Sequence, residues 1–146
     1  MIRFQMNGIL KIIPILLYMI VGVISMVMAV KNLISTKFLP FHEKAANKRW
    51  DEIDDHLRHV ILTLLRLAGL GFLIVSILLL AFPIINYFIP NEFYKYSIPV
   101  VALIFCTGLF VINYLLYKKT KADTPWKGSL YAMIAIIAGI IISILN

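Results

Sequence analysis

Two histidines and an arginine at helical spacing are the residues of this 146-residue chain best suited to chemistry. They belong to a row in which polar residues follow at intervals of four, three, four and three: Glu52, His56, His59, Thr63 and Arg66. Such spacing places the row on one face of a helix. Because Asp55 stands four residues before His59, as Glu52 does before His56, each imidazole should have a carboxylate one turn away.

This row and its neighbours leave three interpretations open. In one, His42, His56 and His59 bind a divalent metal with Glu43, Glu52 or Asp55, since these residue types suit zinc or another transition metal. In another, the row lines a polar mouth that receives a charged ligand or a lipid headgroup. In the third, these are solvated residues at the membrane interface with local helix pairs. The spacing does not match the HExxH pattern of zinc peptidases.

Arg66 is the least expected member of the row, because it lies about 10 Å beyond His59 in an otherwise apolar segment. None of the apolar segments contains Asp or Glu, and the nearest polar candidates are Asn113 and Tyr114. An amide and a phenol can bond a guanidinium but cannot neutralise it. Arg66 therefore either extends to the interface or needs an anion: a small ligand, a lipid phosphate or a loop carboxylate.

The elements that must position these residues are four apolar segments of about the length that crosses a bilayer as a helix. They cover residues 12–30, 60–82, 98–117 and 126–145. Only 14% of the residues are charged, against roughly 25% in soluble domains. The sequence predicts an all-α, four-helix transmembrane bundle forming a single membrane domain over residues 1–146.

Charge distribution predicts the orientation of the bundle. The loops at 31–59 and 118–125, with Lys127 beside the second, hold ten basic residues, whereas the opposite side holds Arg3, Lys11 and Lys95. This bias predicts that both loops are cytoplasmic and both termini outside. The net charge of +7 then indicates membrane lipids with anionic headgroups as partners, not nucleic acid.

Local patterns add smaller predictions. Pro14 is expected in the first turn of the first helix, Thr124-Pro125-Trp126 at the start of the last, and one continuous helix from Asp51 into the membrane. Small residues recur at helical spacing, which favours packing within the bundle or contact in a homo-oligomer: Gly22, Ser25 and Ala29, then Ala135 and Gly139. Cys106, the sole cysteine, is expected to be buried.

Several stretches carry a resemblance: FLPFHEKAA at 38–46, Trp50, LLRLAGLG at 64–71 and TPW at 124–126. They resemble a group of small bacterial four-helix membrane proteins of unassigned function, which implies a bacterial inner-membrane location. The layout is also similar to the MAPEG family of glutathione-dependent membrane enzymes. That family has an Asn and a Glu after the arginine of its second helix, whereas Leu67-Ala68-Gly69-Leu70 follow Arg66 here.

Together these patterns favour a non-catalytic membrane protein with a polar pocket on its cytoplasmic side that binds a small anion or lipid headgroup. The expected ligand-binding residues are Arg66, His59, His56, Thr63, Asn113 and Tyr114. The alternative is a membrane-surface enzyme with a histidine–carboxylate metal site. A proton-coupled carrier is disfavoured, because no apolar segment holds an acid.

Overall fold

The computed structural model describes the backbone of residues 2–145 and the side chains of residues 11–145. It contains five α-helices and one 3₁₀ turn at Trp50–Glu52, with no strand between residues 2 and 145. The helices are α1 (Ile2–Ile34), α2 (Pro40–Ala46), α3 (Asp55–Phe88), α4 (Glu92–Thr120) and α5 (Trp126–Leu145). The predicted all-α fold is thus confirmed.

Four of the helices are long and apolar enough to cross a membrane: α1 from Lys11, α3, α4 and α5. Large apolar side chains are exposed on their outward faces, for example Leu64 at 60% and Ile104 at 68%. Exposed apolar surface of this extent is costly in water and is normal against lipid. The chain therefore has the architecture of a multi-pass α-helical membrane protein.

The long helices form a ring in which α1 packs on α3 and α5, and α4 packs on α3 and α5. Its core is a cluster of buried side chains contributed by all four helices: Tyr18, Val21, Val75, Leu79, Ala102, Cys106 and Ile136. The expected burial of Cys106 is confirmed. The α1–α3 contact is especially close. The hydroxyl of Ser76 donates a 2.9 Å hydrogen bond to the carbonyl of Gly22.

Small residues make this closeness possible. Gly22, Ser25 and Ala29 of α1 are buried, and Gly69 of α3 faces the side chains of Asn32 and Leu33. In lipid, small residues of this kind let helix backbones approach. The small residues on α1 are thus used inside the bundle, while a homo-oligomer stays a prediction.

Three helices continue through a proline, which corrects one sequence expectation. Pro14 lies inside α1, not in its first turn, because that helix begins at Ile2. Likewise Pro83 lies inside α3 and Pro99 inside α4. The connection between α3 and α4 is consequently short, residues 89–91, and the end of the bundle that carries it is called the loop-two end. The opposite end, with the long connection at residues 35–54, is called the loop-one end.

Candidate functional site

The loop-one end begins where α1 ends at Ile34 and returns to the bundle at α3. Within it, α2 starts with Pro40 at its first helical positions and ends at Asn47, which adopts the left-handed conformation with φ 49°. The short helix lies against α4. A 3₁₀ turn at Trp50–Glu52 follows, and Asp54 then caps α3 by accepting a 3.0 Å hydrogen bond from the amide of Leu57.

The expected continuous helix from Asp51 is therefore wrong, because the Asp54 cap starts α3 at Asp55. Glu52 lies in the 3₁₀ turn, where its carboxylate accepts a 3.0 Å hydrogen bond from the amide of Arg49. It is consequently not part of the helical row that contains His56. A capping residue with non-helical backbone is the local signal that separates the two segments.

The expected imidazole–carboxylate pair at Asp55 and His59 is also not formed. The carboxylate of Asp55 bonds the guanidinium of Arg58 at 2.8 Å, whereas the Nδ1 atom of His59 lies 2.7 Å from the backbone carbonyl of Asp55. Arg58 offers this carboxylate a charge-assisted hydrogen bond from three residues along the helix. His56 and His59 both point outward and are exposed.

Arg58 is the residue of this region that sequence reasoning missed. Besides its bond to Asp55, the guanidinium donates to the carbonyls of Trp50 at 3.1 Å and Asp51 at 2.9 Å. It also stands 5.8 Å from the centre of the Trp50 ring. Arg58 thus ties the 3₁₀ turn to the first turn of α3. Arg58 and Trp50 are eight residues apart and belong to different elements, so helical spacing could not predict their contact. The contact depends on the fold of the loop.

His42 is the most enclosed of the three histidines. Its ring centre lies 3.9 Å from that of Phe41 and 5.7 Å from that of Phe38. Its Nδ1 atom is buried without a hydrogen-bond partner among the described residues. Burial lowers the pKa of His42, since the charged imidazolium loses hydration. Burial beside Phe38 and Phe41 therefore favours the neutral form of this imidazole.

The residues expected to bind a metal are spread over α2, the 3₁₀ turn and α3: His42, Glu43, Glu52, Asp55, His56 and His59. Between residues 11 and 145, no three His, Cys, Asp or Glu side chains are grouped so that they could hold a metal ion. A structural zinc site takes four ligands and a catalytic one takes three. The metal site therefore stays a prediction from residue type.

Arg66 lies on the exposed face of α3. A Cβ atom added at Gly69 would stand 3.1 Å from the Cβ of Asn32, so Arg66, one turn earlier in α3, is level with the end of α1. The guanidinium has no hydrogen bond or ion pair with any group that the structure describes. Arg66 therefore lies near one end of the bundle, and no protein carboxylate in residues 11–145 neutralises it.

The remaining expected ligand residues have other partners. Thr63 donates a 2.9 Å hydrogen bond to the carbonyl of His59, and the amide nitrogen of Asn113 donates a 2.8 Å bond to the carbonyl of Leu109. Tyr114 stacks on Phe110 at 5.7 Å and meets Trp126 edge-on at 5.7 Å. Neither Asn113 nor Tyr114 is bonded to Arg66 in the described part of the chain.

Thr124 lies just before α5, at the start of that helix as expected. Its hydroxyl donates a 2.8 Å hydrogen bond to the backbone carbonyl of Asn113, and the side chain is buried. The bond joins the α4–α5 connection to α4. Phe110 and Tyr114 of α4 also contact Trp126, the first residue of α5. Because Asn113 is eleven residues away, the partner is set by how α4 and α5 meet.

A second feature lies at the loop-two end, where the bundle encloses a cavity of about 500 Å³. Its walls come from all four long helices and include Lys11, Tyr18, Asn86, Lys95 and Ser143. None of the six residues expected to bind a ligand lines it. Sequence reasoning favoured the charged row, whereas the cavity at this end is lined by three prolines of three different helices, Pro14, Pro83 and Pro99.

Comparison with protein families, curated proteins and solved structures finds no match for this chain. Its function has to be inferred from the chemistry of these two ends.

Proposed function

We propose that this is a small integral membrane protein whose loop-one end binds anionic lipid headgroups, with the guanidinium of Arg66 as the main contact. The observation that carries the proposal is a change of polarity along one exposed face of α3. Going from the loop into the span, the exposed residues of this face are His56, His59, Thr63, Arg66, Leu70, Ile74 and Ile77.

The arginine thus stands at the boundary between a polar and an apolar stretch. A phospholipid alongside α3 has the same order of groups, with a phosphate above its acyl chains. Arginine's planar fork bonds phosphate in a bidentate way, and the leucine side chains beside it suit acyl chains. A lipid fits this open face better than a free small anion, because Arg66 has exposed apolar neighbours, Leu67 at 58% and Leu70 at 48%.

The charge of the loop-one end supports the same ligand. Lys31 at the end of α1 is exposed, as are Lys118, Lys119 and Lys121 where α4 ends. Arg58 is set apart from these, because its guanidinium is already bonded within the loop. With the loop-one end facing the cytoplasm, this positive charge would meet the anionic leaflet of the inner membrane.

The test is native mass spectrometry of the purified full chain carrying phosphatidylglycerol or phosphatidylethanolamine. Arg66→Gln should retain phosphatidylglycerol roughly fivefold less well, which corresponds to about 1 kcal/mol for one basic residue near the surface. Retention of phosphatidylethanolamine should change less, and Arg66→Lys should be intermediate because it keeps the charge without the fork.

Arg49→Gln is the matched control, since Arg49 is an exposed loop residue already 3.3 Å from the carboxylate of Asp51. It should leave lipid retention near that of the unchanged protein. If Arg66→Gln retains phosphatidylglycerol as well as Arg49→Gln does, the proposal is wrong and Arg66 only reaches towards water.

A further inference from the structure

The cavity at the loop-two end has the features of a ligand site. Its volume of about 500 Å³ is within the range of roughly 300–1,000 Å³ found for small-molecule sites. It runs from exposed residues at the mouth, Lys11 and Glu92, to buried residues at the other end, Tyr18 at 4% and Ser143 at 7% exposure. A ligand could therefore enter from the mouth and be enclosed at depth.

Helix-breaking residues explain why the bundle leaves space here. Pro14, Pro83 and Pro99 come from three different helices, and all three line the cavity. A proline inside a helix cannot donate to the carbonyl four residues earlier, and its ring crowds that carbonyl. In membrane proteins such irregular backbone is tolerated where it lines a cavity. Three prolines at one level thus favour a gap between the helices over close packing.

The charge of the mouth selects an anion with a single charge. Lys95 is 3.7 Å from the carboxylate of Glu92, so these two groups offset each other. Lys11 has no carboxylate partner in the part of the chain described. One uncompensated ammonium matches a carboxylate, whereas a phosphate monoester carries nearly two charges.

The buried end selects a second polar group on the same ligand. The hydroxyl of Tyr18 is buried beside the side chain of Ser143 and has no other hydrogen-bond partner within residues 11–145. A hydroxyl pair that is buried without a further partner has hydrogen-bonding capacity that a ligand oxygen would use. Lys11 and Tyr18 are two turns apart on α1, so the two polar groups of a ligand would be about 10 Å apart. The walls between them are apolar, with Ile15, Phe82 and Ile98.

We infer that this cavity binds a medium-chain carboxylate that carries a hydrogen-bonding group at its far end. The carboxylate lies beside Lys11, the chain lies against the apolar walls, and the far group bonds the hydroxyl pair of Tyr18 and Ser143. This site is at the opposite end of the bundle from Arg66, so it is independent of the headgroup contact.

The test is equilibrium dialysis of radiolabelled decanoate against the full chain in maltoside micelles, with protein-free micelles as the blank. Unlabelled 10-hydroxydecanoate, decanoate and decanol are the competitors. We expect one saturable site, with 10-hydroxydecanoate competing best and decanol worst. Lys11→Gln should weaken both acids on the order of tenfold, as expected for a hydrogen bond to a charged group.

Tyr18→Phe should reduce the advantage of 10-hydroxydecanoate over decanoate, since one of the two hydroxyls at the buried end is lost, and leave decanoate itself bound. Ile98→Trp, which fills the cavity, should abolish binding of both. Lys37→Gln, at an exposed lysine of the loop-one end, is the matched control and should bind like the unchanged protein.

The inference is wrong if decanol competes as well as the acids, or if Lys11→Gln and Ile98→Trp both bind decanoate normally. Because Lys11 is exposed, its substitution leaves the fold intact. Lys11→Gln therefore tests the carboxylate contact even if the Tyr18→Phe variant is unstable. The inference is also wrong if micelles that contain the protein bind no more decanoate than protein-free micelles do.

Discussion

The hydroxyl of Ser76 donates a 2.9 Å hydrogen bond to the backbone carbonyl of Gly22, in a contact between α1 and α3 that is closed to solvent. The bond joins two residues 54 positions apart, and Ser76 is fully buried. It lets a polar side chain sit in the core because the glycine presents its backbone directly to the partner helix. The α1–α3 pair therefore combines small residues with one inter-helix bond, as is common in membrane bundles.

Replacing Ser76 by alanine removes this bond and should lower the free energy of unfolding by about 0.6 kcal/mol, the mean for such bonds in membrane proteins. The loss in free energy is small because only the bond between the helices is removed, and the backbone of Gly22 remains part of α1. Unfolding in sodium dodecyl sulfate, followed by circular dichroism, measures it. Thr107→Ala is the control, since that hydroxyl is exposed and bonds only its own helix at Leu103. Equal effects from the two substitutions would contradict the prediction.

Gly139→Ala should destabilise the bundle more strongly, by about 1–3 kcal/mol, the usual range for overpacking. A Cβ atom added there would stand 2.5 Å from the Tyr18 ring, so the ring would have to leave its packed position against α5. Gly108→Ala is the matched control, because nothing lies within 4 Å of its added carbon. It should leave stability unchanged or raise it by up to about 1 kcal/mol. Thermal unfolding of both variants in the same detergent compares them.

Arg58→Lys should loosen the junction between the 3₁₀ turn and α3 without unfolding the membrane spans. A lysine cannot reproduce the fork that bonds Asp55 and the carbonyls of Trp50 and Asp51 together. The expected loss is about 2 kcal/mol in the free energy of local opening. Amide hydrogen exchange at residues 50–58 measures it. Arg49→Lys, at an exposed ion pair, should leave exchange there unchanged, and a uniform increase across α1 and α5 would contradict the prediction.

His42 should make the loop-one end sensitive to acid. Its pKa in the folded chain lies below the ordinary value of about 6.5, because burial disfavours the imidazolium. The unfolded loop therefore binds the proton more tightly. The stability due to neutral His42 is fully present above about pH 6.5 and is lost as pH falls towards the lowered pKa.

Protease cleavage of residues 35–54, compared at pH 7.5 and pH 5.5, tests this prediction. Cleavage should be faster at the lower pH in the unchanged protein, and His42→Phe should remove most of that difference. His56→Gln is the control, because that ring is exposed on α3. A pH effect that survives His42→Phe unchanged would assign it to other groups.

The fold could be predicted from the sequence because hydrophobic length is a strong signal. Each spanning helix contains its predicted apolar segment, and the burial of Cys106 and the small residues of α1 followed from composition at helical spacing. Helix ends were less predictable. The second apolar segment was predicted to end at residue 82, before Pro83, yet α3 continues to Phe88.

The polar row was only partly predictable for a related reason. Helical spacing correctly placed His56, His59, Thr63 and Arg66 on one face of α3, but it could not say that this face is exposed. It also could not foresee that Arg58 would bond Asp55, since that pairing depends on the 3₁₀ turn that brings Trp50 and Asp51 to the guanidinium.

By itself the sequence determined that four apolar helices are present and that one arginine has no acid of its own segment to pair with. These are properties of residue type and local period, which a single helix carries. Only the tertiary structure decided that Arg66 faces outward and that Lys11, Tyr18 and three prolines surround one cavity. Those relationships depend on the rotation and spacing of helices packed against each other, which no local pattern encodes.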